Sequence, residues 1–131
     1  MAGASYPDDL FYHPEHDWAR IDPAEPDVAV LGITWYAQDA LGEVVYFDPP
    51  AAGTTVTKDE PYAEVESVKA VSDVIAPLSG EIVEVNEALS DSPDAINHDP
   101  YGEGWLVKVR VSDPSEREAL MDAAAYAASL G

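Results

Sequence analysis

The stretch EVESVKAVSD, residues 64–73, sets Lys69 between two strand-like, β-branched runs, AEVESV before it and AVSDVIAP across and after it. Val68, Lys69, Ala70 and Val71 interrupt the in–out alternation of a strand and leave apolar residues on both flanks of the lysine. That pattern predicts a tight turn where one half of the molecule hands over to the other. The turn contains no glycine, so a type I geometry, which needs no positive φ, is expected. Lys69 then stands at a hairpin tip, exposed and carried on rigid strands.

Working outward, further short runs read as strands: VAVLGIT (28–34), EVVYF (43–47), EIVEV (81–85) and WLVKVRV (105–111). Clusters rich in Pro and Gly separate them, among them DPPAAG, PLSG and SDSPDAINHDPYGEG. TWYAQDALG predicts a short helix closed by Gly42. DPSEREALMDAAAYAASL predicts a C-terminal helix over 112–130, with Asp113 as N-cap, Pro114 in the first position and Glu116 completing a capping-box pattern. The core is expected from Val28, Val30, Val44, Val65, Ile82, Val107 and Val109.

A faint repeat runs through this pattern. Gly42-Glu43-Val44-Val45 returns as Gly80-Glu81-Ile82-Val83, and Pro61-Tyr62-Ala63-Glu64 returns as Pro100-Tyr101-Gly102-Glu103, at offsets of 38 and 39 residues. Two copies are too few for a solenoid but suit a two-fold β-sandwich. The repeat also offers an internal control: Lys108 follows Pro100 by the eight residues that separate Lys69 from Pro61. Lys108, however, lies in strict strand alternation, on the solvent face.

The 131 residues make one domain, 1–131, with a flexible N-terminus expected over 1–8. No apolar run approaches bilayer length, and the N-terminus shows neither a secretory nor a transit pattern, so a cytoplasmic protein is expected. The absence of cysteine excludes disulfides, thiolate metal sites and cysteine nucleophiles. With 26 acidic against 6 basic residues the formal charge is −20, a field that repels nucleic acid and anionic membrane. It serves either solubility or steering toward basic partners.

Catalytic constellations are missing. His13, His16 and His98 lack metal-ligand company, and HPEH is not the HExxH pattern. Ser79 in PLSGE makes no nucleophile elbow. An exposed turn lysine alone is more often a solvated charge than a site, but here its surroundings are specific. Glu66-Ser67-Val68-Lys69-Ala70, with Gly80 eleven residues on, looks like the attachment site of a lipoylated carrier domain. Biotin carriers typically place methionines beside the lysine, where Val68 and Ala70 stand. The lipoyl domains of 2-oxo acid dehydrogenases usually read Asp-Lys-Ala.

The likeness then extends along the chain. His16-Asp17-Trp18, the run Gly32 to Gly42 (GITWYAQDALG), Glu64 to Asp73, Ser79-Gly80-Glu81, Glu84-Val85-Asn86 and Asn97 to Trp105 all fit one pattern. From about residue 9 to 128 the sequence resembles the H proteins of the glycine cleavage system. Asp17 stands where that family usually has Glu, and Trp35 where it usually has Asp.

The resemblance implies a mainly β, lipoyl/biotinyl-type flattened β-barrel sandwich with a quasi-two-fold repeat, short helices and a C-terminal helix. It implies lipoic acid joined by an amide to Lys69, within the attachment context Glu66, Ser67, Val68 and Ala70. The chain would be a carrier rather than an enzyme. It would take an aminomethyl group from the glycine decarboxylase (P protein) to the aminomethyltransferase (T protein), with reoxidation by dihydrolipoyl dehydrogenase (L protein). A lipoate ligase or a lipoyl/octanoyl transferase would load it, and a monomer is expected. The arm's docking face is implied near Glu15, Asp17, Tyr36 and Asp73, with Asp17 pairing the cargo's ammonium and Tyr36, together with Trp35, shielding it. The competing carrier reading is a relay that donates lipoyl groups to other complexes.

Overall fold

The computed structural model describes residues 6–130. Nine strands and three α-helices follow in chain order: β1 (Phe11–His13), β2 (Asp17–Ile21), β3 (Val28–Ile33), α1 (Trp35–Leu41), β4 (Val44–Asp48), β5 (Thr55–Val56), β6 (Pro61–Ser67), β7 (Val71–Ile75), β8 (Gly80–Val85), α2 (Ala95–His98), β9 (Val107–Val111) and α3 (Ala123–Ser129). They form two antiparallel sheets, one six-stranded in the order β1-β2-β3-β9-β8-β5 and one three-stranded in the order β4-β6-β7. The mainly β sandwich is therefore as expected, built from two separate sheets.

One apolar core joins them. Ala19, Leu31, Ile82, Val107 and Val109 from the larger sheet meet Val44, Phe47, Val65 and Val74 from the smaller one, all buried. At roughly 25 cal/mol per Å² of apolar area removed from water, this shared layer is the main force holding the sheets together. Of the expected core, Val30 differs. On β3 the alternation sends Ala29, Leu31 and Ile33 into this layer and turns half-buried Val30 toward a second cluster of Leu10, Tyr12, Trp18, Ala123 and Tyr126. A bulge between Val44 and Tyr46 breaks the phase of β4, so that Val44 and Phe47 are buried while Val45 and Tyr46 both stay exposed.

α1 forms as its caps dictate. The Thr34 hydroxyl accepts from the Ala37 amide, and Gly42, at φ +83°, ends the helix with its N–H donated to the Gln38 carbonyl.

The C-terminal segment departs from the single helix expected over 112–130. Asp113 does cap, accepting from the Ser115 amide, and Pro114 does open the first turn, but Pro114–Ala119 is a 3-10 turn that stops at Leu120. Met121 then exchanges two backbone hydrogen bonds with Tyr12, and Asp122 caps the separate helix α3. The sheet edge competes for the backbone groups that a continuous helix would have used. Glu116 completes no capping box: its carboxylate accepts from the Ser79 amide and hydroxyl, 2.8 and 2.9 Å away. Of the N-terminus expected to be flexible, residues 1–5 lie outside the described residues. Tyr6 packs edge-on against Tyr126 at 5.3 Å, and the Pro7 carbonyl accepts from the Tyr12 hydroxyl at 2.7 Å.

The repeat survives in part. Gly42-Glu43-Val44-Val45 leads into β4 and its copy opens β8, but Pro61 opens β6 whereas Pro100-Tyr101-Gly102-Glu103 is turn.

Candidate functional site

Lys69 lies in the turn joining β6 to β7, where Glu66 faces Val71 across the hairpin. Ser67 builds the tip. Its buried hydroxyl oxygen accepts from the amides of Lys69 and Ala70 at 3.2 and 3.0 Å, while its own amide donates to the Ala70 carbonyl at 2.8 Å. A short polar side chain that satisfies backbone donors one turn ahead is what Ser contributes in such turns. No tip residue has a positive φ, in keeping with a turn made without glycine. The Val68 amide donates to the Glu43 carbonyl at 3.0 Å, tying the tip to the segment after α1.

Lys69, Val68 and Ala70 are exposed, and Glu66 is half-buried. Lys69 makes no ion pair among the described residues, although the chain is strongly acidic. Its stem runs past Gly42: a Cβ there would stand 3.3 Å from the Lys69 Cε. Gly42 thus ends α1 and clears the lysine's path. The other lysines are paired. Lys58 bonds to Asp59 at 3.1 Å, and Lys108, on β9, lies 3.7 Å from Glu84 with its ammonium over the Trp105 ring.

Beside the tip opens a cleft of about 310 Å³. The turn and β7 supply Ala70, Val71 and Asp73, α1 supplies Tyr36, Ala37, Ala40 and Leu41, and the β1–β2 corner supplies Glu15, His16 and Asp17. All four residues that the sequence offered for docking, Glu15, Asp17, Tyr36 and Asp73, therefore line one cavity next to Lys69. Trp35 does not line it; its backbone amide donates to the Tyr101 hydroxyl at 2.9 Å.

The carboxylates differ in kind. Glu15 and Asp73 are exposed on the rim. Asp17 is 2% exposed, and its Oδ2 has no hydrogen-bond partner. Burial pushes the Asp17 carboxyl well above the usual carboxylate range, only partly offset by the Ile75 backbone N–H. Among the described residues Tyr62 carries the other unpartnered buried side-chain oxygen, and its hydroxyl is likewise pushed up by burial and then by the Asp17 charge. A cation entering the cleft would give Asp17 the partner it lacks, with an interaction strengthened by the low-dielectric surroundings.

Two contributors stood in the family pattern, His16 in the segment beside the docking face, without being singled out as site residues. His16, at φ +74°, packs tilted against Tyr36 with ring centroids 4.5 Å apart and forms part of the cleft wall. Asn97 clamps α1 to β4: its carbonyl accepts from the Val44 amide at 2.8 Å, and its amide donates to the Gly42 carbonyl at 2.8 Å and to Gln38 at 3.0 Å. The signal for Asn97 was a lone amide inside a long Pro/Gly-rich loop. The other histidines have partners of their own, His13 with Asp59 at 2.6 Å and exposed His98 with Asp94 at 3.3 Å.

Comparison with known proteins gives a consistent answer. The family model described as glycine cleavage H-protein matches residues 10–131. A glycine cleavage system H protein of Symbiobacterium thermophilum is 50% identical over 123 residues, covering 94% of both chains. One from Halorhodospira halophila is 52% identical over 120 residues, 92% of this chain and 91% of its own. The crystal structure of a glycine cleavage system H protein from Mycobacterium marinum superposes with a TM-score of 0.86 at 45% identity, over 95% of this chain and 98% of that one. With the match spanning both sheets, the hairpin tip and the cleft beside it, the chain belongs to the glycine cleavage H-protein family.

Proposed function

We propose that this chain is the lipoyl-bearing shuttle of the glycine cleavage system, a carrier rather than an enzyme, with lipoic acid attached by an amide to Lys69. The observation that carries the reading is an exposed lysine, without an ion pair among the described residues, on a pinned hairpin tip beside a cleft whose floor holds a buried, half-satisfied carboxylate. A long flexible arm needs a rigid anchor, an apolar trough within reach and a polar end-point, and these residues fit that need. When bound, lipoic acid supplies a redox-active dithiolane at the end of that arm.

The chain's own residues do the rest. Lys69 provides the anchoring nitrogen and loses its charge on acylation. Ala37, Ala40, Leu41 and Val71 exclude water from the trough. Asp17 accepts the cationic end of an aminomethyl cargo on the floor, Glu15 and Asp73 hold the rim negative, and Tyr36 covers the opening. In that role the cargo would pass from P protein to T protein, L protein would reoxidise the arm, and a lipoate ligase or lipoyl/octanoyl transferase would load the chain. Tethering keeps the cargo at high effective concentration through this circuit. We read the working form as a cytoplasmic monomer.

The test is intact mass and peptide mapping of protein from its native cell, beside Lys69→Arg. A single lipoyl group on Lys69, lost in the variant with unfolding unchanged, is expected. A lipoyl group on Lys58 or Lys108 overturns the assignment.

A further inference from the structure

His16 and Tyr36 form one wall of the cleft, yet what holds His16 lies outside it. The His16 Nδ1 is 2.8 Å from the Tyr126 hydroxyl, on α3 at the far end of the chain. The same hydroxyl is 2.8 Å from the Thr34 Oγ1. Thr34 is the N-cap of α1, and its amide donates to the His16 carbonyl at 3.0 Å. One fully buried phenol therefore joins both parts of the cleft wall: the imidazole, and the helix that presents Tyr36, Ala37, Ala40 and Leu41. Tyr126 itself does not line the cavity. Its ring is fixed by stacking on Tyr12 at 4.7 Å and 6°, and by the edge of Tyr6.

His16 needs such a hold. Its positive φ is unfavourable for a side chain with a Cβ, and it persists only where the surroundings over-determine it. The backbone is held by the His16 amide bonded to the His13 carbonyl at 2.9 Å and by the Thr34 amide on the His16 carbonyl, and the ring by Tyr36 tilted against one side and Tyr126 bonded on the other. Without the hydroxyl the imidazole keeps only ring contacts, tilted on Tyr36 and edge-on to the position-126 ring, and no hydrogen bond fixes its rotation.

We propose that Tyr126 is a positioning residue of the arm cleft: its hydroxyl locks His16 and the start of α1 together, so that α3 sets how tightly the cleft retains the loaded arm. This rests on the docking reading given under Proposed function. The Tyr126 ring is needed for packing, whereas its oxygen is needed for the cleft.

The experiment follows spontaneous formaldehyde release from lipoylated, aminomethyl-loaded protein in the parent, Tyr126→Phe, His16→Asn, Asp17→Asn and Tyr12→Phe. Asn tolerates the left-handed backbone of position 16 while removing the ring. Tyr12→Phe removes a hydroxyl from the same aromatic cluster, one bonded to the Pro7 carbonyl instead of to His16. Release should quicken about fivefold in Tyr126→Phe, the equivalent of one net hydrogen bond. It should quicken at least as much in His16→Asn and stay at the parent rate in Tyr12→Phe.

A second readout separates positioning from general loosening: the His16 imidazole titration by NMR. Burial lowers the His16 pKa, Glu15 raises it and His13 lowers it, and Asp17, Asp73 and Tyr36 share its cleft. The midpoint should move in Tyr126→Phe and not in Tyr12→Phe. If Tyr126→Phe releases at the parent rate while Asp17→Asn is faster, the positioning role is wrong and docking stands. If Tyr12→Phe accelerates release as much as Tyr126→Phe, the effect is only lost packing and the proposal fails. If Asp17→Asn also leaves release unchanged, the docking reading fails, and this inference with it.

Discussion

Ser67→Ala isolates the tip from the rest of the molecule. The substitution removes an oxygen that accepts two amide hydrogens, from Lys69 and Ala70, and leaves the Ser67 amide to Ala70 carbonyl bond and the Val68 amide to Glu43 carbonyl bond in place. Those two lost bonds at about 1 kcal/mol each would be about 2 kcal/mol, and the long 3.4 Å donation from the hydroxyl to the Ala70 carbonyl, also lost, adds little. Lys69 and Ala70 are exposed, however, so water recovers part of that, and about 1 kcal/mol is the better expectation. Against a total stability of about 5–15 kcal/mol the fold survives, with a melting temperature lower by about 3–5 °C. The loss is local. Hydrogen exchange at the Lys69 and Ala70 amides should quicken about fivefold while the amides of β8 and β9 keep their protection. Acylation of Lys69 should slow by a similar factor, because the modifying enzyme must then order the tip as it binds. Unchanged exchange at those two amides, alongside a normal acylation rate, would show that the strands alone hold the tip and that Ser67 is incidental.

Three further outcomes follow from the same geometry. Gly42→Ala forces a Cβ onto a residue at φ +83° and to 3.3 Å from the Lys69 Cε, so calorimetry should show a loss of about 1–2 kcal/mol, and lipoylation should slow with it. Burial raises the Asp17 carboxyl above its unfolded value, so between the two values the native state holds the extra proton; stability therefore falls as pH rises through that window and the cost remains in full above it. Asp17→Asn should remove that slope in denaturant titrations from about pH 4 upward, and a slope equal to the parent's would reject the assignment. With a formal charge of −20, association with basic partner surfaces should slow as ionic strength rises, and a rate flat with salt would leave the charge serving solubility alone.

What could be seen in the sequence was whatever depends on near neighbours. The β6–β7 tip was legible because Val68, Lys69, Ala70 and Val71 break the strand alternation, and α1 because Gly42 closes it. β1, β2 and β5 were not picked out: β1 and β5 are only three and two residues long, and DWARI of β2 is buried without a clean alternation. The broken C-terminal helix was hidden because its break comes from Tyr12, more than a hundred positions away, pairing with Met121. The same distance hid His16. An isolated histidine in HPEHDW says nothing of Tyr126, and its role appears only once α3 lies beside β1. The family pattern brought Glu15, Asp17, Tyr36 and Asp73 into one list, but it could not tell rim from floor. That difference is one of burial, and burial here is a property of two sheets together.

The cleft belongs to neither sheet alone. Lys69, Ala70 and Asp73 are carried by the hairpin of the three-stranded sheet, His16 and Asp17 lie at the β2 end of the six-stranded one, and α1 spans the seam. The shared core that docks the sheets therefore also sets the distance from the lysine to the buried carboxylate, and a tip that is pinned at Ser67 and Glu43 keeps that distance constant while the arm moves. Charge is divided along the same line. Solvated acids such as Glu15 and Asp73 contribute to a long-range field that salt screens within about 8–10 Å, whereas Asp17, shut away from solvent, acts only at contact and is screened far less. Encounter with partners and retention of the cargo are thus two electrostatic problems solved by different carboxylates. Raising salt should slow the first and leave the second nearly untouched, and a cargo whose release rate rose in step with the fall in association would place the retaining charge on the exposed rim instead of at Asp17.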